Sequence, residues 1–127
     1  MKYLGVDFGT KRVGIAVSDE VGEFAFPRKI LATADAVKEI AKLCIEEQVG
    51  AIVIGKSIAT NEEENIVAKA ASAFANALVA HTKLPIEFER EDFSSVEAHR
   101  YQIKAGSRDD SAAAIILQRF LDKKKGA

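Results

Sequence analysis

Two runs of alternating apolar residues, separated by one compact turn, constrain this chain more than any other feature. Leu4, Val6 and Phe8 alternate with Tyr3, Gly5 and Asp7, and Val13, Ile15 and Val17 alternate with Gly14, Ala16 and Ser18. A period of two puts every second side chain on one face of a pleated strand. Between the runs lies Gly9-Thr10-Lys11, with glycine where a positive φ would ease the reversal, so the spacing predicts a hairpin. A third apolar run, residues 24–31, follows a turn signal at Gly22. Pro27 within it cannot donate to a ladder, which predicts an edge strand or a bulge.

The period then changes. Val37, Ile40, Ala41 and Cys44 fall at i, i+3, i+4 and i+7, one face of a helix that Gly50 is placed to close. Residues 51–55 read as a short buried strand, and a polar loop at 56–61 leads into a second helix with Val67, Ala70, Ala71, Phe74 and Leu78 inward. Leu84-Pro85 stops that helix, and residues 86–89 form a fifth strand. Ser94 and Glu97 have the spacing of a capping box for a helix to about residue 105, with Gly106 as its C-terminal cap. A last helix starts near Asp109 and turns Ala113, Ile116, Leu117 and Phe120 inward. Three antiparallel strands followed by two strand–helix units predict an α/β fold: a five-stranded mixed sheet with helices on its faces. That order matches the ribonuclease H-like fold, and other α/β sandwiches share parts of it.

A chain of 127 residues is enough for a single domain, here 1–127. Its 18 basic and 19 acidic residues give a net charge of -1, which argues against a protein that coats nucleic acid nonspecifically and leaves room for a local basic patch. The single cysteine, Cys44, builds neither a disulfide framework nor a zinc cage, and a small buried hydrophobe is its expected role. His81 and His99 have no ligand spacing to it and read as helix-surface residues. No stretch approaches the roughly 20 apolar residues of a membrane span. Asp7 interrupts the opening apolar run, unlike a secretory signal. The expectation is a cytoplasmic protein with no membrane partner.

Three acidic positions could carry chemistry. Asp7 closes a strand that should be central and shares a face with Gly5, which offers no competing bulk. It reads either as a metal ligand or as a turn-initiating Asp bonded to the amides that follow. Asp109 lies on the apolar face of the last helix, where an acid also serves as a helix cap, and Asp110 beside it stabilises a first turn equally well. Glu87, Glu89, Glu91 and Asp92 cluster around the fifth strand. Alternation sets Glu87, Glu89 and Glu91 on one face, either simply solvated or, for Glu91, aimed at the sheet edge that holds Asp7. Open α/β sheets place their sites at strand carboxyl ends. Carboxylates converging there suit hard divalent cations, Mg²⁺ or Mn²⁺, and a pair of ions suits phosphodiester hydrolysis. Neither a P-loop nor a GxGxxG fingerprint is present.

The stretch Gly5-Val6-Asp7-Phe8-Gly9-Thr10-Lys11-Arg12-Val13-Gly14-Ile15-Ala16-Val17-Ser18-Asp19 closely resembles the opening of the YqgF/RuvX family, which comprises Holliday-junction-resolvase-like proteins and pre-16S rRNA nucleases. The resemblance continues through Ile52-Val53-Ile54-Gly55, Glu91 with Phe93-Ser94-Ser95-Val96-Glu97-Ala98, and Asp109 with Ala112-Ala113 and Ile115-Ile116-Leu117-Gln118. It covers nearly the whole chain. It implies Asp7, Glu91 and Asp109 as catalytic metal-holding acids for two ions, and Lys11 and Arg12 as contacts for nucleic-acid phosphates. It also selects Asp109 over Asp110. Two places depart from the family pattern: Arg90 and Asp92 flank Glu91 with the usual charges exchanged, and the loop at 56–61 lacks the usual Leu-Pro and Asn-x-Asp-Gly elements.

The implied function is a metal-dependent nuclease acting on structured nucleic acid. Its substrate would be the 5′ end of pre-16S rRNA in ribosome biogenesis or, alternatively, a branched DNA junction. A non-catalytic nucleic-acid- or ribosome-binding module of the same fold is a second reading, although a pure binder gains nothing from a repulsive acidic triad. Sugar-kinase and actin-like ATPases share an Asp-x-Gly-Thr opening, but their site needs a second similar domain for which 127 residues leave no room. The sequence displays no clear exposed apolar face for a symmetric dimer, so a monomer or weak homodimer is expected.

Overall fold

The computed structural model describes residues 1–56, 62–90 and 109–126. Strand β1 (Tyr3–Asp7) pairs antiparallel with β2 (Arg12–Ser18), Leu4 opposite Val17 and Asp7 opposite Gly14. Strand β2 pairs antiparallel with β3 (Ala25–Ala32). Helix α1 (Thr33–Glu47) leads to β4 (Ala51–Lys56), parallel to β1, and helix α2 (Glu62–Thr82) leads to β5 (Ile86–Arg90), parallel to β4. Helix α3 (Asp109–Gly126) follows. The sheet order is β3-β2-β1-β4-β5, so β1 is central. The capping-box helix expected from residue 94 lies outside the described residues, as does most of the 56–61 loop.

Pro27 satisfies both of its alternatives. Strand β3 is an edge, and the register slips from Ile15 opposite Lys29 to Ala16 opposite Pro27, leaving Arg28 as the extra residue of a bulge. The β2–β3 connection closes on Asp19. Its carboxylate accepts the amides of Glu23 at 2.7 Å and Phe24 at 3.1 Å, while Gly22 turns with φ 73°. Those hydrogen bonds, Phe24's foremost, hold the Asp19 carboxyl below the usual range.

Alternation divides the core between the two sheet faces. Leu4, Val6, Val13, Ile15, Ile52 and Ile54 pack against Ile40, Leu43 and Cys44 of α1 and Phe74 and Leu78 of α2. On the opposite face, Tyr3, Ala16, Ala51 and Val53 pack against Ala113, Ile116, Leu117 and Leu121 of α3. The result is three layers, with each amphipathic helix burying its stripe on one face of the sheet.

Two expectations are corrected. Gly9 does not adopt positive φ; Gly22 is the only positive-φ glycine among the described residues. Helix α1 is closed not by Gly50 but by Gln48, whose φ of 57° and ψ of 47° are left-handed, with amides returning to the last-turn carbonyls of Ile45 and Cys44. Val21, Phe24, Phe26 and Ile30 are exposed in and beside edge strand β3 but do not share one face, since Phe26 aligns with Val17 on the α1 side of the sheet and Ile30 with Gly14 on the α3 side. No helix among the described residues is long and apolar enough to cross a membrane.

Candidate functional site

Asp7 is the last residue of central strand β1 and is half-buried. Its place in the pleat follows from its neighbours. Leu4 and Val6 enter the core beneath α1 and α2, whereas Gly5 lies under α3, so Asp7 also belongs to the α3 face. The lack of bulk at Gly5 has a direct cause: a β-carbon there would lie 2.7 Å from Leu117 Cβ and 3.1 Å from the Ala113 carbonyl oxygen. The helix backbone rests on the strand at that point.

The same contacts give the direction of α3. Tyr3 meets Phe120 edge-on with ring centroids 5.6 Å apart, while Gly5 meets Leu117 and Ala113. Moving up β1 is therefore moving down α3, and the helix start at Asp109, about one turn before Ala113, lies toward the end of β1 that carries Asp7. Parallel pairing through β4 brings the carboxyl end of β5 to the same sheet edge: Val6 aligns with Ile54, Ile54 with Phe88, and Gly55 with Glu89. Glu91 directly follows Arg90, the last residue of β5, and lies outside the described residues. The elements bearing Asp7 and Asp109 thus meet at one edge, and the strand leading to Glu91 ends there too.

The turn after Asp7 is braced from two directions. Phe8 packs against Phe74 of α2 at 5.0 Å between centroids. Thr33, the first residue of α1, donates its hydroxyl to the Gly9 carbonyl at 2.7 Å and its amide to the Lys11 carbonyl at 3.0 Å. Gly9 is required for close approach, since a β-carbon would sit 2.5 Å from the Arg12 carbonyl oxygen. Lys11 and Arg12 follow, both exposed, at the same end of the hairpin as Asp7.

One acid departs from its simplest sequence reading. Glu89 is 3% exposed rather than solvated, and its carboxylate meets Lys123 Nζ at 2.7 Å and Arg119 Nε at 3.9 Å, both from α3. Alternation had put it on the correct face; only the docked helix makes that face an interior. Cys44 is buried as expected, and burial pushes its thiol up to about 11. His81 is exposed on α2 with Nδ1 2.9 Å from the Ala77 carbonyl oxygen, while His99 lies outside the described residues.

Comparison with known proteins assigns this arrangement to a family. The sequence model of RuvX, described as Holliday junction resolvase, matches residues 1–123. The chain belongs to the RuvX family. RuvX relatives include a protein of Maridesulfovibrio salexigens named "Putative pre-16S rRNA nuclease", 38% identical over 95% of this chain and 98% of its own length. One of the same name from Oleidesulfovibrio alaskensis is 35% identical over 96% of this chain and 92% of its own. Among solved structures, Thermus thermophilus RuvC in complex with a Holliday junction substrate superposes with a TM-score of 0.69, covering 99% of this chain and 96% of RuvC at 12% identity. The fold is thus the ribonuclease H-like fold of the RuvC resolvases, as the order of elements predicted.

Proposed function

We propose that this RuvX chain is a metal-dependent nuclease that hydrolyses phosphodiester bonds in structured nucleic acid, with the 5′ end of precursor 16S rRNA as its substrate. The observation that carries the reading is Asp7 at the carboxyl end of the central strand, on the face where α3 begins at Asp109. Relatives matched over nearly their whole length bear the pre-16S rRNA nuclease name, which supports the choice of substrate. Cleavage of a branched DNA junction is the second reading, favoured by the family description and by the RuvC complex.

The donor set fits divalent cations. Asp7, Glu91 and Asp109 offer only carboxylate oxygens, which hard ions such as Mg²⁺ and Mn²⁺ prefer, and no thiolate or imidazole competes in that set. When bound there, such ions would supply activation of water and stabilisation of the leaving oxygen. The chain's own contribution is positional. The turn pinned by Thr33 and Phe74 fixes Asp7, and exposed Lys11 and Arg12 are available to orient the phosphate backbone without reading bases. In this reading the protein works as a monomer or weak homodimer in the cytoplasm.

Cleavage of a precursor 16S rRNA 5′ fragment and of a four-way DNA junction, run beside filter binding at several salt concentrations, tests the proposal. Asp7→Asn abolishes cleavage and leaves RNA affinity equal or higher, because it removes both a ligand charge and repulsion from phosphate. Lys11→Ala with Arg12→Ala weakens binding and flattens its salt slope by up to about two units, with less effect on cleavage at saturating RNA. Parent-like cutting by Asp7→Asn would make Asp7 a turn residue and sink the mechanism.

A further inference from the structure

The ion pair that buried Glu89 of β5 makes with α3 is not used by the mechanism above. Glu89 stands two residues before Glu91, and its carboxylate, with a side chain only 4% exposed, is held by Lys123 at 2.7 Å and faces Arg119 at 3.9 Å. Lys123 and Arg119 belong to the helix that starts at Asp109. Elsewhere α3 meets the sheet through apolar Ala113, Ile116, Leu117 and Leu121, and Gln118 ties it on the β3 side to the Ala25 amide and the Glu23 carbonyl, each at 2.9 Å. Apolar contacts are non-directional and allow a helix to slide along a strand. A charge-assisted hydrogen bond fixes both distance and direction. Taking a carboxylate out of water for stability alone gains little, because a well-packed apolar pair does as well or better.

We propose that Glu89 is a positioning residue, locking the end of β5 to α3 so that the helix, tied to the β3 side by Gln118, cannot pivot away from β5 and its start at Asp109 keeps its place at the Asp7 end of the sheet for the divalent cation. The proposal rests on the metal centre described under Proposed function. In the β5 register Glu89 aligns with Gly55, one step beyond the level at which Val6, Ile54 and Phe88 align, which is also the step of Asp7 on β1. Glu89 is therefore level with Asp7, while Arg119 and Lys123 hold it from the part of α3 remote from Asp109.

Mn²⁺ titration by calorimetry on the full chain, with a melt of each variant in the absence of metal, tests this without relying on cleavage. Glu89→Gln should weaken Mn²⁺ binding about tenfold, at the low end for outer partners of a metal site. Lys123→Gln combined with Arg119→Gln should weaken it similarly. The two variants separate positioning from simple electrostatics, because removing two positive charges would by charge alone tighten cation binding. Parent-like or tighter binding in the Lys123/Arg119 variant overturns the proposal. If an orphaned buried charge prevents either variant from folding, Glu89→Leu with Arg119→Leu removes the two largely buried charges at once and leaves only the exposed Lys123. It should fold and still bind Mn²⁺ about tenfold more weakly; parent-like affinity there likewise overturns the lock. Absence of Mn²⁺ binding by the parent protein would instead remove the metal centre itself, and the positioning role with it.

Discussion

At Gly5 a single missing β-carbon sets how closely α3 approaches the central strand. A methyl group there meets Leu117 Cβ and the Ala113 carbonyl, neither of which can rotate away. Gly5→Ala should therefore cost about 1–3 kcal/mol, as overpacking does, read as a lower urea midpoint with an unchanged m-value. Because the same contact sets the height of α3 over Asp7, cleavage should fall as well. Cys44 offers a second residue-scale test. Its thiol titrates near 11 in the fold against 9.0 for the unperturbed group, so the neutral form is the one burial favours. Its contribution to stability is full below pH 9.0 and is lost as pH rises from there through about 11, since the unfolded chain releases the proton first. Alkylation of Cys44 at pH 8 should be slow in the native protein and fast in denaturant; equal rates would contradict its burial.

At the scale of elements, most of the chain obeyed its periodicities. The alternating runs became β1 and β2, the i, i+3, i+4, i+7 runs became the helices, and Pro27 marked both edge and bulge. Helix ends were less legible. Gln48 takes the left-handed position that Gly50 had suggested, because the cap amides return to Cys44 and Ile45 while the Gly50 amide is committed to the Lys2 carbonyl at 2.8 Å. Helix α2 does more than cover the sheet. Through Phe74 it packs on Phe8, the residue after Asp7. Phe74→Ala should destabilise the protein by about 3–5 kcal/mol. Under conditions where it remains folded, kcat should fall further than RNA affinity, because the lost brace loosens Asp7 rather than Lys11 and Arg12. Cleavage and binding measured side by side give that comparison.

For the whole molecule, the proposed centre couples metal binding to folding. Ions that bind the assembled acids and not the unfolded chain stabilise by mass action, about 1.4 kcal/mol at ten times the dissociation constant. For a chain of this size that raises Tm by roughly 5 °C. Melts with and without millimolar Mn²⁺ check this, and the shift should disappear in Asp7→Asn. The exposed Val21, Phe24, Phe26 and Ile30 at the β3 edge lie on the far side of β2 from β1, away from the strands that lead to the proposed centre.

The sequence by itself determined the order and type of the elements, the central placing of Asp7, and the family, because each depends on local period and on a long contiguous motif. It also marked Asp109 and Glu91 through the family resemblance, and spacing alone had left Asp109 open to a capping role. Tertiary structure decided what no local pattern encodes. Gly5 is small because a helix more than 100 residues later rests on it, as its approach to Leu117 and Ala113 shows. Glu89 reads as a surface acid until Lys123 and Arg119 close over it from 34 and 30 positions away, the longer separation being that of the 2.7 Å contact. Burial and charge pairing at such separations arise only when helices dock on the sheet, and alternation along a strand reports its two faces without saying which face will be covered.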